Sequence, residues 1–314
     1  MQSRRIGGFD VLVAGEYLLD LISTNFTDDF ASVEAFRPVA GGSAANLCAN
    51  MARLGNGTKL ACTLGDDQLG HHLRATLERL DVDTSLVRHV TQPTTLILVT
   101  RSENVPHFEA YRQADVELLP SQLGPEQAAS ASLFHTTCFA LSRQPAQDTI
   151  LTAAEAAAAA GRHVSIDLNY ALPIWPDRKA AQQVVSAYCG LGALVKVSEV
   201  DWERLYGAPL QDPEEVCRHF LSVGAAVVCL TLGGEGAWVA DRSNLHFLPA
   251  RPVKVADTTG AGDAFWSGFL TAWLDGADLL ACARAARRMA ELKIGTFGNL
   301  PDRVDKASLY ELPS

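Results

Sequence analysis

The 314-residue sequence is short of several things, and each shortage excludes a class of protein. No apolar run approaches the ~18 residues that a membrane-spanning helix needs. There is no Gly-Lys-Ser/Thr after a glycine-rich loop, hence no Walker A phosphate loop. No G-x-G-x-x-G opens a helix after the first strand, which speaks against a dinucleotide-binding unit. The seven cysteines include no C-x-x-C pair and no metal-like spacing, and an odd, scattered set reads as reduced thiols in a core. Positive charge is in the minority: 26 Lys and Arg face 36 Asp and Glu, a formal net charge of −10. That field repels nucleic acid and anionic membrane surfaces, so neither is an expected partner. A polyanionic ligand must be held by local groups. Residues 1–8 lack the apolar core of a signal peptide, so the expected compartment is the cytoplasm. No repeat or low-complexity linker divides the chain, and a hydrophobic content of 48% implies a substantial core.

What is present is an alternation of strands and helices. Residues 10–15 read as a buried strand ended by Gly15, and 43–54 as a helix with a Leu47, Met51 and Leu54 stripe, closed by Gly55. A strand over 59–64 and a helix over 69–80 follow, with Asp67 as cap. Further on, strands at 133–137, 164–168, 194–197 and 226–232 alternate with helices at 146–160, 179–188 and 213–222, and 237–240 adds a strand. Such units imply a three-layer α/β/α fold, a mainly parallel sheet with helices on both faces. Residues 16–37 look irregular, yet segments at about 16–40 and 94–115, the latter with strands at 94–100 and 107–111, break the rhythm. They are expected to form a small β layer inserted in a single domain spanning 1–314.

The most informative segment is Asp257-Thr258-Thr259-Gly260-Ala261-Gly262-Asp263-Ala264-Phe265. A strand-like run at 252–256 precedes it and an apolar helix over 264–274 follows. A glycine-rich turn therefore opens a helix, and the amides of Gly260, Ala261, Gly262 and Asp263 lack intrahelical partners and can face an anion. A carboxylate at Asp263 beside that pocket can take a proton from a hydroxyl while the amides hold a phosphoryl group.

The nine-residue string resembles the second signature of the ribokinase/PfkB family of sugar kinases. Gly41-Gly42-Ser43-Ala44-Ala45-Asn46, continuing through Asn50, Arg53, Leu54 and Gly55, resembles the first. Other matches keep the family order from about Val11 to about Pro301: Gly15-Glu16 with Asp20, Gly65-Asp66-Asp67-Gln68-Leu69-Gly70, Tyr111-Arg112-Gln113-Ala114-Asp115, Asp167 through Trp175, Lys196 through Asp201, and Thr231-Leu232-Gly233-Gly234-Glu235-Gly236. The resemblance implies a β lid over the sugar that also supports a homodimer, and in-line transfer from MgATP. Asp263 is the implied base, with Gly260, Ala261 and Gly262 in the anion hole. It implies Asp20, Gly41, Gly42, Asn46, Arg112 and Asn169 at the sugar, and Lys196, Ser198, Thr231, Gly233 and Gly236 at the nucleotide. Glu199 and Asp201 would organise Mg2+ through waters, Gly295 to Pro301 would lie by the adenine, and a monovalent cation such as K+ is a further candidate. The lid and the Asp167–Trp175 stretch resemble fructokinase-like members, with Ala171 where they carry arginine and Asp201 where they carry glutamate. Fructose or a related ketose is the expected substrate. The alternatives are 2-keto-3-deoxygluconate, with Arg112 on its carboxylate, and a catalytically silent member that binds sugar or nucleotide.

Overall fold

The computed structural model describes residues 9–27, 29–101 and 107–311. The expectation for residues 1–8 and the part of the lid segment at 102–106 fall outside them. The chain enters through β1 (Val11–Ala14), then runs out into β2 (Leu18–Phe26) and β3 (Phe36–Gly41) before α1 (Ser43–Arg53). β4 (Thr58–Gly65), α2 (Gln68–Glu78) and β5 (Asp83–Val90) return it to the body, and β6 (Leu96–Arg101) and β7 (His107–Tyr111) leave it again. A regular alternation follows: α3 (Pro125–Ser130), β8 (Leu133–Thr137), α4 (Ala146–Ala159), β9 (His163–Asp167), α5 (Arg178–Cys189) and β10 (Leu194–Ser198). The last part holds α6 (Glu199–Tyr206), α7 (Pro213–Ser222), β11 (Val227–Thr231), β12 (Gly236–Asp241), β13 (Leu245–Pro249), α8 (Ala261–Leu274) and α9 (Leu279–Ile294).

The main sheet has the order β13-β12-β11-β10-β9-β8-β1-β4-β5. It is parallel except where β12 pairs with β11 and β13 with β12. Its core alternates with the pleat: Val11 and Val13 face the side packed with Leu47 of α1, Trp266 of α8 and Met289 of α9. Leu12 and Ala14 face the side packed with Ile150 of α4, Val185 of α5 and Phe220 of α7. This is the ribokinase-like three-layer α/β arrangement. A separate four-stranded sheet has the order β3-β2-β6-β7, so the two segments that broke the alternation meet in one layer.

Several local readings need correction. Residues 252–256 are not a strand: the Ala256 and Asp257 amides donate to Ile294 O at the end of α9, at 2.8 and 3.2 Å, instead of to a sheet partner. The stretch taken as irregular holds the nine-residue β2, whose mixed burial hides a period of two. Edge strands β5 and β13, and helices α3 and α9, were not anticipated. In α9 the apolar stripe is built largely from alanines between arginines, which weakens the pattern. Asp67 caps α2 as expected, accepting from Gly70 N at 2.8 Å.

Candidate active site

The site forms where two helix N-termini meet at the carboxyl ends of the parallel strands. Gly260, in the left-handed region (φ 74°), caps α8 and turns its first amides outward. Ala261 N donates to Thr258 O at 3.1 Å. That corrects the expectation for Ala261: of the four amides of the turn, those of Gly260, Gly262 and Asp263 have no acceptor among the described residues. Asp263, in the same turn, is gripped from α1, with Ser43 Oγ donating to Oδ1 at 2.7 Å and Asn46 Nδ2 to Oδ2 at 2.8 Å. Burial lifts its carboxyl to about 6, with Asp167 adding to the rise and the Ser43 and Asn46 hydrogen bonds and Lys196 pulling back.

Beside Asp263 lies a cavity of about 80 Å³ lined by Asp20, Arg37, Asn46, Asn50, Arg53 and Gly260, among others. Asp20 points in from β2, and burial together with the Asp263 charge pushes it up to about 7. Gly41 lies against this carboxylate, where any Cβ would collide with it. Gly42 has φ 98°, and a Cβ there would sit 2.6 Å from Glu16 O. Glu16 is buried, accepts from Ala44 N at 3.2 Å and Thr137 Oγ1 at 2.6 Å, and so anchors α1 against β8. Burial raises it to about 7.

Arg112 and Asn169 do not line this cavity. Arg112 is held by Asp115 (2.6–2.8 Å) and Ser142 (2.5 Å) and lies 4.1 Å over the Phe139 ring. Asn169 Oδ1 accepts from Phe139 N at 3.3 Å. Gly298, Asn299 and Leu300 line the cavity with Asp20, which moves the segment assigned to adenine to the other side of the turn.

A second, larger cleft of about 440 Å³ opens across the α8 N-terminus, lined by Thr231, Gly233, Gly236, Gly262, Phe265 and Ile294, together with Arg251 and Arg287. The glycine turn after β11 thus meets the glycine turn before α8. Lys196 does not reach the cleft: its Nζ binds both oxygens of Asp167 at 2.8 and 2.9 Å beneath Gly262. Burial alone would lower it, and the Asp167 charge outweighs that and raises it. Asp201 is likewise committed. It accepts from Ser198 N and Oγ at 2.9 and 2.6 Å and from Tyr170 N at 2.9 Å, closing a capping box on α6. Glu199 remains partly exposed near Gly233.

Sequence reasoning missed Ser43 as an Asp263 ligand, Glu16 as the buried anchor, and the arginines of the cleft. Ser43 stood inside a recognised motif, whereas Arg251 in a coil and Arg287 on an unanticipated helix carried no signal.

The known proteins bear on this geometry. Residues 9–304 match the sequence model of the pfkB family carbohydrate kinases. An ATP-dependent 6-phosphofructokinase of Thermoanaerobacterium thermosaccharolyticum is 32% identical over 97% of this chain and 94% of its own length. Fructokinase-1 of Oryza sativa subsp. japonica is 30% identical over 96% of this chain and 97% of its own. The solved fructokinase of Halothermothrix orenii superposes with a TM-score of 0.76 at 31% identity, over 91% of this chain and 98% of that one. With the family match spanning nearly the whole length and the glycine turn before α8 lining both cavities, through Gly260 and Gly262, the chain belongs to the pfkB family of carbohydrate kinases, enzymes that bind a sugar and ATP.

Proposed function

We propose that this enzyme transfers the γ-phosphoryl group of MgATP to a primary hydroxyl of a ketohexose, with fructose as the leading candidate. The observation that carries the reading is Asp263, held by Ser43 and Asn46 between the cavity of Asp20 and the cleft of Gly233 and Gly236. A hydroxyl in the first cavity gives its proton to Asp263 as its oxygen bonds to phosphorus, and the bond to ADP breaks on the cleft side. The free amides of Gly260, Gly262 and Asp263 hold the charge on the transferring group. Asp20 and Asn46 take sugar hydroxyls, while Arg251 and Arg287 offset the repulsion that a net charge of −10 imposes on ATP. Glu199 is the carboxylate suited to hold the water shell of a Mg2+ ion, which when bound would neutralise phosphate charge. Lys293 Nζ lies 3.6 Å from Asp257 Oδ2 behind Gly260, so an ammonium serves that carboxylate.

A second reading, fructose 6-phosphate, is favoured by the cations around the sugar cavity. Arg37, Arg53 and Lys293 all line it, and Arg53 Nε is buried without a hydrogen-bond partner. The 6-phosphofructokinase relative supports the same reading. 2-Keto-3-deoxygluconate draws less support, because its carboxylate would have to displace Asp115 from Arg112. The silent-binder reading is disfavoured by the intact Asp263 and glycine turn. The lid's exposed Phe26, Phe30 and Tyr111 suit the homodimer.

ADP release measured with MgATP over fructose, fructose 6-phosphate, tagatose, ribose and 2-keto-3-deoxygluconate tests the reading. Turnover on fructose supports the first reading and turnover confined to fructose 6-phosphate the second. Turnover on neither, in protein that binds ATP, overturns both.

A further inference from the structure

Away from the kinase centre, three side chains converge at the edge of the main sheet. Asp66 lies on the turn after β4, His71 in the first turn of α2 and His89 near the end of β5, so three successive elements each supply one. One ligand-capable atom from each lies within 4.8 Å of the others. His71 Nε2 is 3.0 Å from Asp66 Oδ1, and the two imidazole rings lie together with centroids 4.5 Å apart. His89 is the most telling. Its Nδ1 contacts Gly65 O at 2.9 Å, and a carbonyl can only accept, so Nδ1 carries the proton. Its Nε2 is buried with no hydrogen-bond partner. A ring nitrogen oriented by a backbone carbonyl on the far side is how metal-bound histidines are prepared.

We propose that Asp66, His71 and His89 bind a borderline divalent cation of the Zn2+, Ni2+ or Co2+ type, at a site separate from the kinase centre. Two imidazoles and one carboxylate suit these ions and not Mg2+, which demands an oxygen shell. Tetrahedral Zn2+ needs ligand atoms about 3.3 Å apart, and modest rotation of the exposed Asp66 and His71 closes the remaining gap. Thiols do not compete in the folded protein, because all seven cysteines are buried. The neighbouring Asp67 accepts from Thr94 N at 2.8 Å and Thr94 Oγ1 at 2.7 Å, just before the lid strand β6. A bound cation therefore ties the β4–α2 turn to β5 and stiffens the root of the lid.

Full-length protein freed of metal by a chelator is titrated with Zn2+ by calorimetry and with Co2+ by visible absorption, beside His71→Ala and His89→Gln. The expected result is one equivalent of Zn2+, a Co2+ ligand-field band, and a loss of affinity of more than about 10-fold in each variant. His71 is mostly exposed, so His71→Ala keeps its thermal midpoint in chelator and stands as the test if His89→Gln folds poorly. No Zn2+ binding by the unaltered protein, or equal affinity in protein and variants, overturns the proposal.

Discussion

Asp263 is the proposed base at the residue scale, and its surroundings set its pH range. With the carboxyl raised to about 6, kcat should fall as pH drops through about 6, because the protonated acid cannot take the hydroxyl proton. A profile of kcat flat from pH 5 to 8 would sink that assignment. Asp263→Asn keeps the contacts to Ser43 or Asn46 in part but removes the base. Turnover should drop by about 100-fold to 10,000-fold with ATP affinity retained, read by ADP release and by calorimetry. Asp263 itself was legible in the sequence because a nine-residue string is specific. Its pKa was not, since burial and the Asp167 charge belong to no local segment. Lys196 makes the opposite case: the motif suggested a phosphate contact, whereas folding brings Asp167 from β9 to within 2.8 Å and commits the ammonium to it.

At the scale of elements, the joint between β3 and α1 positions half of the site. Gly42 holds φ 98° with no room for a side chain against Glu16 O. Gly42→Ala should therefore cost more than about 1 kcal/mol of stability. It should also raise the sugar KM by displacing Asn46, with the KM for ATP nearly unchanged. Urea unfolding and steady-state kinetics check this, and an unaltered sugar KM would show that the joint does not position the site. The glycine pair itself was visible in sequence. α1 was visible by its apolar stripe, α4 by its alanine-rich composition, and β1 and β8 as short continuous apolar runs. The bounds of the half-exposed lid strand β2, the edge strands β5 and β13, and α9 were not, because half-buried residues and alanines between arginines say little about which surface a segment will meet. The segment at 252–256 reads as a strand by composition, and becomes a coil because its amides find the end of α9 first.

For the whole molecule, Glu16 links the end of β1 to α1 and to Thr137 on β8, so its titration reports on global folding. Its ordinary value of 4.5 rises to about 7 on burial. Between these values the unfolded chain ionises while the folded one keeps its proton, so stability falls as pH rises from 4.5 to 7 and levels above that. The contribution is about 3 kcal/mol, taking ~1.4 kcal/mol per pKa unit. Glu16→Gln should gain most of that, about 2.5 kcal/mol, on the parent between pH 5 and pH 8, measured as the difference in urea unfolding free energies. Parallel pH profiles for the two proteins would show that Glu16 is not the group responsible. The sequence by itself determined the alternation of strands and helices, the α/β class and the glycine turn with its carboxylate. Each is written in local periodicity, or in a short run of residues whose backbone needs are special. The tertiary structure decided which groups meet: Asp263 with Ser43 and Asn46, Lys196 with Asp167, Asp66 with His71 and His89, and two arginines at the larger cleft. Those encounters depend on chain crossings of up to about two hundred residues, and electrostatics acts on distance in space, which no local pattern encodes.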